Sequence, residues 1–462
     1  MARPVDRSDV ATLLTWCNQE HVALVPRAAA TGMPGGNVGP GVVLDLMGLD
    51  HIEAPDAETR TIRVGAGAVI GRVEGMARAC GLRLPPLPSS APWCTVGGLL
   101  ANNGAGAHTF SSGAMRAWVE SAELVLVDGR IEHWSTQGLP EGLPGASPDD
   151  LRPGDRWPAV RKNSSGYALD AYARSGRALD LVVGSEGTLA VITGATLRLD
   201  PVPEQRALVA VACPDAEALL GWCAWAREAG SATCEMLGRR LLGMIRLDDD
   251  PELSTLGRDL EAVLLLEIEG SAARVDADLG RLLTESRARG TRILVAREEG
   301  MIQALWELRH RASPTIAAAA ERGLRSLQFI EDSVVPPVAL ARYIDGVSSL
   351  LREETTDAVL FGHAGDAHLH VNPLVDVRRP DWKERVRRLL EGTAALVAEL
   401  GGTLAGEHGD GRVRAPFLER IWGVERVQRF QALKRAFDPN GILNPGVLLP
   451  APGQDPLEGL SL

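Results

Sequence analysis

Residues 362 to 372 read Gly-His-Ala-Gly-Asp-Ala-His-Leu-His-Val-Asn. Three imidazoles, His363, His368 and His370, fall within eight residues of a chain that holds nine histidines. The flanking Val359 to Phe361 and the internal Leu369 to Val371 have strand character, and Gly365-Asp366 between them suits a bend. On one unbroken strand the odd spacing of His363 and His370 would put them on opposite faces. They converge only if the chain turns at Gly365. A later glycine-rich segment, Gly406-Glu407-His408-Gly409-Asp410-Gly411, adds a carboxylate and another imidazole. Two histidines and one glutamate make a zinc-type set with coordination left open for a substrate. The same residues would also suit satisfied core or surface positions.

At 462 residues the chain suits two or three domains. The apolar content of 45% supports a sizeable core, and the net charge of −12 comes without a basic block, which argues against nucleic acid as a partner. No apolar run is long enough to span a membrane. Arg3, Asp6, Arg7 and Asp9 at the start do not form a secretory signal. The six cysteines are scattered, none in Cys-x-x-Cys, so neither an iron–sulfur cluster nor a zinc ribbon is expected. A reducing, cytoplasmic setting is expected for them.

Val5 to Glu20 reads as an amphipathic helix with Val10, Leu13, Leu14, Trp16 and Cys17 on its apolar side. A strand at Val22 to Val25 runs into Pro26-Arg27-Ala28-Ala29-Ala30-Thr31-Gly32. Such small residues let backbone N–H groups close on phosphate, and a plain turn is the alternative reading. Strands at Gly41 to Leu46 and Thr61 to Val64 and a helix at Val69 to Gly81 follow. The run from Pro85 through Pro88 and Ser89, then Thr95-Val96-Gly97-Gly98 and Ala101-Asn102-Asn103-Gly104, is a second small-residue loop. Asp128-Gly129 marks a hairpin between Ala122–Val127 and Arg130–Trp134. Residues 136 to 158 read as surface loop. Lys162-Asn163-Ser164-Ser165-Gly166-Tyr167 and Gly184-Ser185-Glu186-Gly187-Thr188-Leu189 complete this half, the latter leading into a buried strand through Ile192.

Taken in order, Pro-Arg-x-x-x-Thr-Gly, Thr-Val-Gly-Gly with Ala-Asn-Asn-Gly, Lys-Asn-x-x-Gly-Tyr and Gly-Ser-Glu-Gly-Thr-Leu resemble one family. It is the FAD-linked oxidases of the vanillyl-alcohol-oxidase type, in the branch of D-lactate dehydrogenase, glycolate oxidase FAD subunit and D-2-hydroxyglutarate dehydrogenase. The resemblance runs from about Pro4 to Leu449. It implies an α+β fold: a two-lobed PCMH-type FAD-binding domain over residues 1–203, a ferredoxin-like cap with an antiparallel sheet over 204–404, and a segment, 405–462, returning to the first domain. By the same resemblance, FAD contacts fall at Pro26 to Gly32, Pro88, Ser89, Thr95, Gly97, Gly98, Asn102 and Gly104. Further contacts are implied at Glu186, Gly187, Ile192 and Asn444. Two departures stand out. The usual glycine run of the first loop is Ala28-Ala29-Ala30 here, which gives up easy access to positive φ. The lead-in that the family usually carries before the first strand is expected to be missing here. No histidine lies in 26–37, where relatives with attached flavin carry one, so the FAD is expected to be non-covalent.

Beyond Pro203, strands are expected at Arg206–Ala212, Ala262–Ile268, Arg292–Val295, Leu327–Ile330 and Val359–Phe361, with helices near 215–229, 273–289, 299–321, 338–352 and 383–400. The resemblance implies that Arg309 binds the substrate carboxylate with help from Ser313, one helical turn on. It also implies that His363, His370 and Glu407 hold zinc or a similar divalent metal, that Asn372 and His408 contact substrate, and that His408 is the general base. His368 matches no ligand of the family and is expected to be structural. The lysine that relatives use for a second carboxylate is absent from Gln328-Phe329-Ile330-Glu331-Asp332, and Arg412 or Arg414 could compensate. The usual lysine after Asn-Pro-Gly is Val447, and 451–462 is expected to be a disordered end.

These readings lead to FAD-dependent oxidation of a (R)-2-hydroxy acid, lactate- or glycolate-like, to the 2-oxo acid. Electrons would leave to another protein, a quinone or oxygen, an iron–sulfur subunit among the candidates. The protein would be cytoplasmic or held at the inner face of the membrane through that partner. A non-catalytic or electron-transfer flavin subunit, and a flavin-free zinc hydrolase, are the alternatives.

Overall fold

The structure is a computed structural model that describes residues 1–135, 157–245, 253–319 and 323–460. Most of the loop expected at 136–158 lies outside the described residues. The first helix, Arg7–Gln19, starts at Asp6, whose carboxylate accepts from the backbone N–H of Ser8 and Asp9. A cap of this kind is worth about 1 kcal/mol. Val10, Leu14 and Cys17 are buried, but Trp16 is 47% exposed, so the apolar stripe is narrower than its sequence suggests. It covers a parallel pair of strands, Leu24–Arg27 and Val42–Asp45. The second lobe is a four-stranded antiparallel sheet in the order Thr61–Gly65, Val191–Arg198, Val119–Val125, Ile131–Trp134. The last two form the hairpin around Asp128-Gly129.

The other half is built on seven antiparallel strands in the order Ile293–Ala296, Gln205–Cys213, Ala262–Gly270, Thr233–Gly238, Asp357–His363, His368–Asp376 and Leu324–Ser326. Alternation along each strand sends successive side chains to opposite faces. Val209, Leu264, Met236 and Leu369 pack under helices Ala216–Ala229, Ala272–Arg289, Leu340–Glu353 and Trp382–Glu399. Leu208, Leu265, Leu237 and Phe361 pack on the opposite face with helices Arg239–Ile245, Glu299–His310 and Ala312–Ala318. The fold is α+β, as expected.

Four local expectations are corrected. The strand Thr233–Gly238, central in the sheet, was not anticipated. The strand expected at 327–330 lies instead at Leu324–Ser326. Gln328 takes a positive φ of 52° there, which ends the strand and turns Glu331 and Asp332 into the interior. The helix expected over 299–321 breaks at Arg311. Pro314 lacks the N–H that would reach the His310 carbonyl, and its ring crowds that carbonyl. The C-terminal stretch is ordered through residue 460. Asp455 accepts from Arg387 at 3.0 and 3.1 Å, and Gln454 donates to the carbonyls of Arg412 and Gly446.

Ahead of that stretch, helices Leu418–Trp422 and Val424–Phe437 place Trp422, Phe430 and Leu433 in one core with Leu99, Tyr167 and Leu189. Backbone bonds from Leu24 to Ile442 and from Asn444 to Leu24 then tie the returning chain to the first strand.

Candidate functional site

The hairpin Asp357–His363/His368–Asp376 has the register Phe361 opposite His370 and His363 opposite His368. Opposed residues share a face, so the reversal brings all three imidazoles to one side. The bend runs through Ala364–Asp366. Gly362, at φ 129°, is required: a Cβ there would lie 3.0 Å from the His370 ring. The ring centroids of His363 and His370 are 5.2 Å apart.

Glu407 Oε1 lies 3.2 Å from His363 Nε2 and 3.3 Å from His370 Nε2. The other ring nitrogens are engaged elsewhere. His363 Nδ1 meets Glu235 Oε1, and His370 Nδ1 is 2.9 Å from the Glu331 carbonyl. Both Nε2 atoms therefore point at one place, with the outer nitrogen anchored to an acceptor, as metal-bound histidines are. Lys162 Nζ, fully buried, holds Glu407 Oε2 at 3.2 Å. Burial opposes ionisation of Glu407, but Lys162 and His363 hold its carboxyl well below the usual range. The same contest leaves Glu235 ionised, with His363 and Arg309 as the outweighing charges. Burial lowers His370, keeping it neutral as a ligand must be. His363 is raised because Glu235 outweighs burial. The donor set fits a divalent cation.

Asp332, His368, His370 and Glu407 also bring ligand atoms within 4.8 Å of one another. Asp332, however, is already committed. It accepts from His368 Nε2 at 2.8 Å, from the backbone N–H of Glu407 and His408, and from Arg414. Burial depresses His368 to about 3. That pairing holds His368 Nε2 on Asp332 and leaves its Nδ1 buried without a partner among the described residues, while His363 and His370 are the pair whose Nε2 atoms converge on Glu407.

His408 stacks on His370 with ring centroids 5.5 Å apart. Its Nδ1 is 3.2 Å from Glu331 Oε1 and its Nε2 3.6 Å from Glu407 Oε1. Its side chain keeps 23% exposure, the most of this group. Burial works against its charge, but Asp332, Glu331 and Glu407 push it up to about 9. A cation on Glu407 would oppose those carboxylates and bring it back toward neutrality. Arg414 is fully buried and donates to Asp332, Glu331 and the Gly409 carbonyl. Arg412 donates to the carbonyls of Gly35 and Pro445 and to Asn444. Both guanidiniums are thus spent inside the fold, and the idea that either serves a second substrate carboxylate is corrected.

Arg309 is 9% exposed, lies over the Phe361 ring at 4.6 Å, and donates from Nε to Glu235 Oε2 at 2.9 Å. Ser313 does not share its face. It stands exposed on the next helix, beyond the break at Arg311. Asn372 lies on the imidazole face; Ser326 donates to its Oδ1, and its buried Nδ2 has no partner among the described residues.

In the first domain, Pro26 and Arg27 close the strand, and Ala30 takes φ 56° in the loop Ala28–Gly32. The left-handed conformation is kept without glycine, at a cost of about 1–2 kcal/mol. Gly187 packs on Pro26. Across the second loop, Thr95 Oγ1 is buried with no partner among the described residues, beside Gly98, a glycine with no closer described neighbour. Backbone and hydroxyl donors clear of side chains fit a phosphate-bearing cofactor, with Pro88 and Ser89 on the stretch before them. Gly97 packs on Ala66 and Gly104 on Leu99. Asn102 donates to the His408 carbonyl, joining this loop to the imidazole cluster.

Glu186 accepts from the N–H of Asp410 and Gly411. Burial and then the charge of Asp410 push it up to about 8. Gly409, at φ 85°, is what lets the chain pass that carboxyl, since a Cβ would come within 2.7 Å of it. Asn444 bonds to the carbonyls of Gly36 and Glu186 as a staple between loops. Ile192 keeps its side chain in the core. Sequence reasoning missed Glu235 altogether and gave Lys162 no role. Only the motif around Lys162 signalled it.

Residues 202–448 match the model of the C-terminal domain of FAD-linked oxidases, and residues 1–135 match an FAD-binding domain. The chain is 30% identical to the glycolate oxidase subunit GlcD of Bacillus subtilis, covering 96% of this chain and 87% of that one. It is also 30% identical to a D-lactate dehydrogenase of Archaeoglobus fulgidus, over 96% of this chain and 90% of the other. Among solved structures, 4-ethylphenol oxidase from Gulosibacter chungangensis shares the fold, with a TM-score of 0.67 at 17% identity over 97% of this chain and 89% of that one. No described helix is long and apolar enough to cross a membrane. With both halves matched, the chain belongs to the FAD-linked oxidases.

Proposed function

We propose that this flavoenzyme oxidises a (R)-2-hydroxy acid bearing one carboxylate to the 2-oxo acid, with FAD held non-covalently. The observation that carries the reading is the convergence of His363 Nε2 and His370 Nε2 on Glu407 Oε1, each ring anchored through its other nitrogen. The names of the relatives, a glycolate oxidase subunit and a D-lactate dehydrogenase, supply the substrate class. His363, His370 and Glu407 would hold a divalent cation such as zinc. When bound, that cation supplies positive charge to the substrate oxygens, and the flavin accepts the two electrons.

The chain's own groups do the positioning and the proton transfer. Arg309 offers its outer guanidinium edge to the carboxylate, since Nε is taken by Glu235. His408 takes the hydroxyl proton at Nε2, while Glu331 at Nδ1 fixes the ring. Asn372, through its unpartnered Nδ2, is a further substrate contact. Ser313 would join only from across the helix break. Electrons pass on to a partner protein or quinone, an iron–sulfur subunit being one candidate. Such a partner would also set any attachment to the inner face of a membrane.

Arg309 brings one guanidinium to the site, and Arg412 and Arg414 are committed elsewhere among the described residues, which favours monocarboxylates. Comparing kcat/KM for (R)-lactate, glycolate and (R)-2-hydroxyglutarate with one dye acceptor tests this. The monocarboxylates should win. A clear preference for the dicarboxylate, or for (S) acids, overturns the reading.

A further inference from the structure

We infer that Glu235 is the positioning residue that sets the carboxylate-binding arginine and the metal-binding histidine relative to each other. This rests on the proposed function, which uses Arg309 and His363 but assigns Glu235 nothing. Glu235 stands in the middle of the central strand Thr233–Gly238, opposite Leu265 and one residue before Met236, which pairs with Gly362. Its side chain is 1% exposed. One oxygen meets His363 Nδ1, and the other accepts from Arg309 Nε at 2.9 Å. An ionised carboxylate this deep is tolerated only when paired and hydrogen-bonded. Both of its partners are site residues, carried by different elements, the hairpin and the helix Glu299–His310.

Each bond fixes a different part of the site. With Nδ1 anchored, the His363 ring can present only Nε2 toward Glu407. With Nε anchored, Arg309 is left with its outer edge, and its plane is laid on Phe361, two residues before His363 on the same strand. One rigid carboxylate on a central strand therefore fixes the gap between the cation site and the carboxylate clamp. A fixed gap selects acids whose hydroxyl and carboxylate sit on adjacent carbons, because a near-attack geometry tolerates only small displacements.

The test uses the flavin-loaded protein with Glu235→Ala and Glu235→Gln. Two binding readouts are taken: metal affinity by elemental analysis after dialysis against graded zinc, and affinity for 2-hydroxy-2-methylpropanoate from the flavin absorbance change. That acid has no hydrogen on C2 and cannot be oxidised. Glu235→Ala should weaken metal binding by roughly 10–100-fold, the usual cost of losing a ligand's outer partner. The analogue should weaken in parallel. Glu235→Gln keeps one acceptor oxygen for two N–H donors, so it should weaken one affinity more than the other. Cys234→Ala, on the helix-covered face of the same strand, should move neither and controls for general loosening.

Both affinities unchanged in Glu235→Ala would overturn the coupling while leaving the proposed function standing. A metal retained by His363→Ala, or an analogue affinity unmoved by Arg309→Met, would instead bring down the reading beneath it. If Glu235→Ala fails to load flavin, the isosteric Glu235→Gln decides alone, and unchanged affinities there overturn the inference.

Discussion

Two groups of histidine and carboxylate occupy the same face of the cap sheet. In one, His363 and His370 each keep an Nε2 directed at Glu407. In the other, His108 faces Glu267 and Glu269 at 3.4 and 3.9 Å. By spacing alone, His108 with Glu267 and Glu269 is close enough to hold a cation, and so are His370 and Glu407 together with Asp332 and His368. Their neighbours separate them. Arg83 grips Glu269 through both terminal nitrogens, at 2.7 and 2.6 Å, while Arg206 and Trp306 reach Glu267. These positive charges and donors already satisfy the second group, which joins the first domain to the cap. The first group has one cation, Lys162, on the far oxygen of Glu407, and its near oxygen still faces two imidazoles. Spacing nominates a metal site; what decides is whether the lone pairs are already spoken for.

The largest expected effect breaks the two groups apart directly. His363→Ala or His370→Ala should lose the metal and turnover, with the flavin spectrum intact. His108→Ala should keep about one divalent ion per chain. Elemental analysis of the three variants decides, and metal lost only from His108→Ala would invert the comparison. Next comes His408→Ala, which removes the proton acceptor but no ligand. It should retain the metal and slow flavin reduction by roughly two to four orders of magnitude. Stopped-flow absorbance reads the rate, and loss of metal would mean that His408 is a ligand.

Much of the first group could be read from the chain because a hairpin has a fixed period. Seven residues with a glycine between them put His363 and His370 together, and Glu407-His408 came with a glycine setting of its own. Glu235 could not be read that way. It is one acid in an apolar strand, 128 positions from His363, and no spacing rule connects a strand to a partner so distant. Lys162 is hidden for the same reason, 245 positions from Glu407. The segment 327–330 misled because Leu-Gln-Phe-Ile is apolar enough for a strand. Its actual path is set by Glu331 and Asp332 seeking Arg414, His408 and His368, a tertiary demand that outweighs local propensity. The break at Arg311 was signalled by Pro314, while the positive φ at Ala30 was not, since alanine does not announce it.

The third effect is on stability. Arg83→Met leaves Glu269 half-enclosed without its fork. It should cost roughly 3 kcal/mol in urea unfolding, as one-sided loss of a largely buried pair does. Metal content and the rate of flavin reduction should stay put. Arg83→Met with Glu269→Gln should recover part of the loss, since no carboxylate is then stranded. An Arg83→Met chain as stable as the parent would show that the junction is held by packing instead.

The smallest effect, on pH, separates the two groups by sign. Burial works against the charge of His108, but Glu267 and Glu269 outweigh it and raise its pKa. A folded pKa above the unfolded one adds stability that is complete below about 6.5 and is lost as pH rises through the folded value. Glu267 is the mirror case. Burial opposes its charge, His108 holds it low, and its contribution is present above about 4.3 and lost as pH falls through its folded value. The pair is therefore strongest between those limits and weakens on the alkaline side. His363 and His370 act in the opposite direction, because ligands must shed protons before they bind a metal, so metal affinity climbs with pH. Raising the pH from 6 to 8.5 should lower the urea midpoint of the parent more than that of His108→Gln, by a fraction of the Arg83 effect, while zinc affinity rises in both. Equal midpoint shifts would mean that His108 carries no charge in the junction, and the contrast between the two groups would then rest on Arg83 and Arg206 alone.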